Sequence, residues 1–165
     1  MIKRIVIWLV FVLTVYVVQS SFIPLFHFHG TGPDFFILLA GSIAFLYGKK
    51  IGAFSGFMLG LFQDLATGTF FGINTFTKML MGYGCGIFYN RVLRDSFFLS
   101  LTSAVVNTLA GFAIIEIIML LLGYGSDLFQ HIVYRLIPML CFNIVFSWPL
   151  HSMVRKISEM TAEKK

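Results

Sequence analysis

The sequence predicts an all-α membrane protein, a compact bundle of six transmembrane helices. Three observations predict it. The 165 residues are 58% hydrophobic and only 12% charged, with a mean hydropathy of +0.90, whereas soluble domains carry about 25% charged residues. The apolar residues gather into six spans separated by short joints. Lysine and arginine concentrate in the tails and in alternate joints, as a polytopic chain requires. A chain of this length leaves no room for a separate soluble domain of ordinary size, so residues 1–165 are expected to form a single transmembrane domain.

The first span covers residues 5–23, after Lys3 and Arg4. Its apolar run is longer than a signal-peptide core and no A-x-A site follows, so it reads as a retained helix. The second, residues 33–47, opens on Pro33, which suits a helix's first turn. The third is residues 51–66, the fourth 70–89, the fifth 97–122 and the sixth 132–154. Pro138 and Pro149 should kink or bound the sixth. The second and third spans fall short of the ~20 residues that cross a bilayer. Shielding by neighbouring helices or a locally thinned bilayer would accommodate them.

A ladder of small residues runs through the middle. Gly48, Gly52, Gly56 and Gly60 recur at every fourth residue, followed on the same spacing by Asp64, Gly68 and Gly72. On a helix this spacing makes one slowly drifting ridge, stripped of side chains so that another backbone can approach. Small-xxx-small ridges pack helices in lipid. The ridge has two readings, packing within the bundle or docking a partner's helix.

Lys3, Arg4, Lys49, Lys50, Arg91, Arg94, Arg155, Lys156, Lys164 and Lys165 all fall on one side of a six-span topology. The joints on the other side, residues 27–32, 66–69 and 123–131, contain neither lysine nor arginine. The positive-inside rule then puts both termini in the cytoplasm. Five remaining ionisable groups, Asp34, Asp64, Lys78, Glu116 and Arg135, fall in the outer half of the bundle. Lipid offers such groups nothing, so they should face the interior and pair; Asp64 with Lys78 is a plausible pair. A structural polar network, a small-molecule pocket or a docking site for another membrane protein would each use them. Asn107 should bond across helices. Glu116, nine residues further, lies about 180° around the helix and needs different neighbours.

No enzymatic constellation appears. There is no GxSxG, Walker A, HExxH or strand-borne GxGxxG. His27 and His29 lack a third ligand, and Cys85 and Cys141 lie within apolar spans as packing residues. No metal, cofactor or nucleic acid is expected, and the bilayer is the expected surrounding.

Pro33-Asp34, the run from Gly56 to Asp64 reading GFMLGLFQD, Gly72 and the stretch from Lys78 to Tyr83 together resemble the rod shape-determining protein MreD family, over nearly the whole chain. The resemblance implies a bacterial plasma-membrane protein of the cell-elongation machinery. It implies work with MreC, and through it with MreB, a SEDS glycosyltransferase and a class B penicillin-binding protein in lateral peptidoglycan synthesis. The implied fold is similar to the S components of energy-coupling-factor transporters. A non-enzymatic scaffold is therefore expected, with Asp34 and Asp64 fixing the outer ends of the second and third helices. The alternative is a ligand-binding S component of a vitamin-type transporter.

Overall fold

The computed structural model describes residues 2–26, 32–68, 70–88, 97–124 and 127–161, and every regular element among them is helical. Helices α1 (Ile2–Phe26), α2 (Phe35–Tyr47), α3 (Lys49–Thr67), α4 (Ile73–Ile87) and α5 (Phe97–Leu121) are followed by a long α6, Leu128–Thr161. Three of the six are long and apolar enough to cross a membrane by themselves: α1, through Ile2–Ser21, then α5 and α6.

The core is built around α2. Its residues from Phe35 to Phe45 are all buried, without the polar face of an amphipathic helix. Helices α1, α3, α4, α5 and α6 all touch it. A helix apolar all round is a buried helix, so the short second span is sheltered by neighbours. Its start differs from expectation. Pro33 lies outside the helix, because the Asp34 carboxylate accepts the Ile37 N–H and caps α2 one residue later.

Helix α1 is peripheral, touching α2 and α6. Phe11, Val15 and Gln19, four residues apart, form its buried stripe, and Tyr16 packs edge-on against Phe62 of α3. Outward-facing side chains of the bundle are largely apolar: Phe54 is 63% exposed, Phe98 74% and Leu120 69%. Hydrocarbon surface on this scale belongs against lipid or protein.

Helices α3 and α4 make the most extensive pairing in the bundle. They run antiparallel, with Gly52 opposite Gly82, Gly56 opposite Lys78 and Gly60 opposite Asn74. A Cβ on Gly56 would collide with the Lys78 carbonyl, and one on Gly60 with the Asn74 carbonyl. The bare ridge of α3 is thus filled by the backbone of α4, which leaves no space there for a partner's helix.

The ladder is shorter than its spacing implied. Gly48 stands outside the helices, as the single residue joining α2 to α3, with φ +87° and ψ 177°. Essentially only glycine adopts that conformation. Gly68 ends α3 with φ +62° and Gly72 precedes α4 with φ +100°. These three allow turns, and only Gly52, Gly56 and Gly60 form a helical ridge. Gly72 is also why α4 begins at Ile73 and not at residue 70.

Helix α6 extends beyond the expected span at both ends, because hydropathy marks only its apolar part. Ile132–Leu136 is a π-helical turn, in which the Ile137 N–H reaches back to the Ile132 carbonyl. Pro138, just beyond, has no N–H to give, and a widened turn accommodates the missing bond. Pro149 sits inside the last stretch, Ile137–Thr161.

The Tyr47 and Ser158 hydroxyls, 2.6 Å apart, tie the α2–α3 joint to the end of α6. Arg4 shares a groove with Tyr47 and Ile51. Lys3, Arg4, Lys49, Lys50, Arg155 and Lys156 therefore gather at one end of the bundle. Arg91, Arg94, Lys164, Lys165, His27 and His29 lie outside the described residues.

Candidate functional site

Polar side chains meet at the opposite end. Lys78 extends from α4 to Asp34 at the mouth of α2, with Nζ 2.8 Å from Oδ2. Lys78 is 1% exposed and Asp34 17%. The Asp34 carboxylate thus does two things at once: Oδ1 caps α2 and Oδ2 neutralises a buried ammonium.

Asp64 and Lys78, a plausible pair by sequence, do not meet; Lys78 pairs with Asp34. Asp64 instead receives the N-terminus of α4. Its carboxylate accepts the backbone N–H groups of Gly72, Asn74 and Thr75, the Asn74 amide at 2.9 Å and the Thr75 hydroxyl at 2.6 Å. Orphan N–H groups at a helix start carry partial positive charge, so a carboxylate there satisfies them and needs no cation. Asn74 links the two acids: it donates to Asp64 and accepts from Lys78 Nζ at 3.3 Å.

The network continues through residues that the sequence reading did not single out. Asn143 of α6, fully buried, accepts the Asp34 N–H at 3.0 Å and donates to the Thr108 hydroxyl of α5 at 2.9 Å. Thr108 in turn donates to the Ala104 carbonyl. Gln19 of α1 accepts the Phe35 N–H at 2.9 Å. Asp34, Lys78, Asn74, Asp64, Asn143, Thr108 and Gln19 therefore join all six helices at this end. Their signal was present, since an amide inside an apolar span must find a partner, but it names no partner.

Glu116 stands apart. Its carboxylate lies 2.8 Å from His131 Nδ1, joining α5 to the start of α6. Asn107, on the other side of α5, bonds Cys85 Sγ of α4 at 3.0 Å. The two groups have different neighbours, as their phases require. Cys85 and Cys141 are free thiols. Arg135, in the π turn, is exposed and forms no ion pair among the described residues.

Arg135 also borders two spaces. One is a cavity of about 170 Å³ that Asp34, Lys78, Gln63 and Thr77 also line. The other is an open cleft of about 510 Å³ lined by Phe70, Ile73 and Met119. Asn74 and Ile115 border both spaces as well. Among the described residues no group of three His, Cys, Asp or Glu side chains is placed to hold a metal. The arrangement ties helices together and leaves a polar space beside them.

Comparison with curated proteins and with solved structures gives no match. A family model described as rod shape-determining protein MreD matches residues 1–161, nearly the whole chain. The chain belongs to the MreD family of rod shape-determining membrane proteins.

Proposed function

We propose that this chain is a non-enzymatic scaffold of the bacterial elongation machinery. In this reading it sits in the plasma membrane as six spans with both termini in the cytoplasm. It captures the transmembrane helix of MreC and, through it, helps place the SEDS glycosyltransferase and class B penicillin-binding protein near MreB. The observation that carries this reading is the family match over residues 1–161. The vitamin-transporter alternative has no such match behind it. The S-component-like arrangement of six spans belongs to the same proposal.

The glycine ridge is occupied by α4, so MreC capture requires another lateral face. The best candidate is the apolar groove of about 730 Å³ between α1 and α3. Trp8 and Val12 of α1 form one wall, Phe54 and Met58 of α3 the other, and Ile43 of α2 lies between. Replacing Ser55, which lines this groove, by tryptophan should reduce MreC co-purification and round up rod-shaped cells. Undiminished co-purification by a well-inserted Ser55→Trp variant would reject this face as the docking site.

A further inference from the structure

The cavity beside the Asp34–Lys78 pair contains groups with no partner among the described residues. The Thr77 hydroxyl is buried without a hydrogen bond, on a residue only 1% exposed. The Gln63 Oε1 atom is likewise buried and unpartnered. Both residues line the cavity. A helical threonine away from water ordinarily gives its hydroxyl to the carbonyl four residues back. Thr14, Thr67, Thr102, Thr108 and Thr161 of this chain all do so. Thr75 gives its hydroxyl to Asp64, whereas the Thr77 hydroxyl has no such acceptor among the described residues and lines a cavity more than ten times larger than one water requires.

The charge of the cavity is also unbalanced. Asp34 and Lys78 neutralise each other at 2.8 Å. Arg135 lines the same space and has no ion pair among the described residues. A guanidinium is suited to a phosphate or carboxylate, which it can grip with two parallel bonds. The adjoining cleft, which Arg135 also lines, has Phe70, Ile73 and Met119 in its walls and can take an apolar body.

We propose that this cavity binds an anionic phosphate ester that also carries a free hydroxyl, as a phosphoglycerol headgroup does. The phosphate lies against Arg135 and accepts the Thr77 hydroxyl, and the ligand's own hydroxyl donates to Gln63 Oε1. Where the ligand is a lipid, its acyl chain occupies the cleft. The source is a membrane lipid or a soluble phosphate ester of the same chemistry. The site does not depend on MreC capture.

The full-length protein in neutral detergent is titrated with short-chain phosphatidylglycerol, glycerol 1-phosphate or short-chain phosphatidylcholine, following thermal stabilisation and binding by native mass spectrometry. Saturable binding of phosphatidylglycerol but not phosphatidylcholine is expected, weakened about tenfold or more by Arg135→Gln and several-fold by Thr77→Val. Thr77→Ser should retain it. Equal binding of glycerol 1-phosphate assigns a soluble source; binding of the lipid alone assigns a lipid. If neither compound binds, or if both variants bind as the parent does, the proposal is overturned. Arg135 is exposed, so its variant remains informative even where Thr77→Val fails to fold.

Discussion

Lys78 and Asp34 meet 2.8 Å apart across 44 residues of sequence, at the point where α2 starts and α4 passes beside it. The ammonium is the more deeply buried partner, so the two single substitutions are not equivalent. Asp34→Asn leaves a buried cation without its anion and should destabilise the protein by about 3 kcal/mol or more. Lys78→Met leaves an acid that still caps α2 and has some exposure, and should cost less. The double variant should recover part of the loss. Melting in detergent measures all three, and additive effects would contradict the coupling.

Two glycines on the α3–α4 pair should respond with opposite signs. Gly56→Ala forces a methyl group into the Lys78 carbonyl, and the helices must part, at a cost of about 3 kcal/mol. Gly84 of α4 has open space where a Cβ would stand. Gly84→Ala should therefore stabilise by roughly 0.5–1 kcal/mol through helix propensity. Melting temperatures moving in the same direction would argue against the α3–α4 register.

Asp64 holds the start of α4 through several donors, and Asp64→Ala removes every acceptor at once. Fast hydrogen exchange should appear at the amides of Gly72, Asn74 and Thr75, with a stability loss of about 2 kcal/mol. Asp64→Asn keeps one carbonyl oxygen and should fall between the two. Unchanged protection at those three amides would show that the cap is not holding α4.

The proposed orientation is open to thiol labelling. In a Cys141→Ser background, a membrane-impermeant reagent applied to intact cells should reach Ala66→Cys and Tyr124→Cys. It should reach Lys50→Cys and Lys156→Cys only after permeabilisation. All four positions are exposed, whereas the remaining native thiol, Cys85, is buried. The reverse pattern would invert the topology.

Much of the architecture was legible because it rests on local composition. The helical class, the approximate places of the six helices and the ridge at Gly52, Gly56 and Gly60 follow from hydropathy and spacing. Pairing was not legible, because it depends on which elements meet. Asp64 is fourteen residues from Lys78, yet it satisfies backbone N–H groups at Gly72, Asn74 and Thr75, which no side-chain pattern reveals. Gly48, Gly68 and Gly72 kept the spacing of four, but spacing cannot distinguish a ridge from a positive φ. Asn143 lay unnoticed in α6 because its partners, Asp34 and Thr108, belong to two other helices.

The buried, thirteen-residue α2 has a consequence for biogenesis. At 1.5 Å per residue it is about 20 Å long, well short of the ~30 Å hydrocarbon layer. Released alone from the insertion machinery, it would leave polar helix ends facing acyl chains. Gly48, a single residue, ties it to α3 in a tight hairpin, so under the proposed six-span topology the two would enter the bilayer as a unit. Helix α2 can thus reach its final surroundings only after α5 and α6, which follow it along the chain, have closed around it.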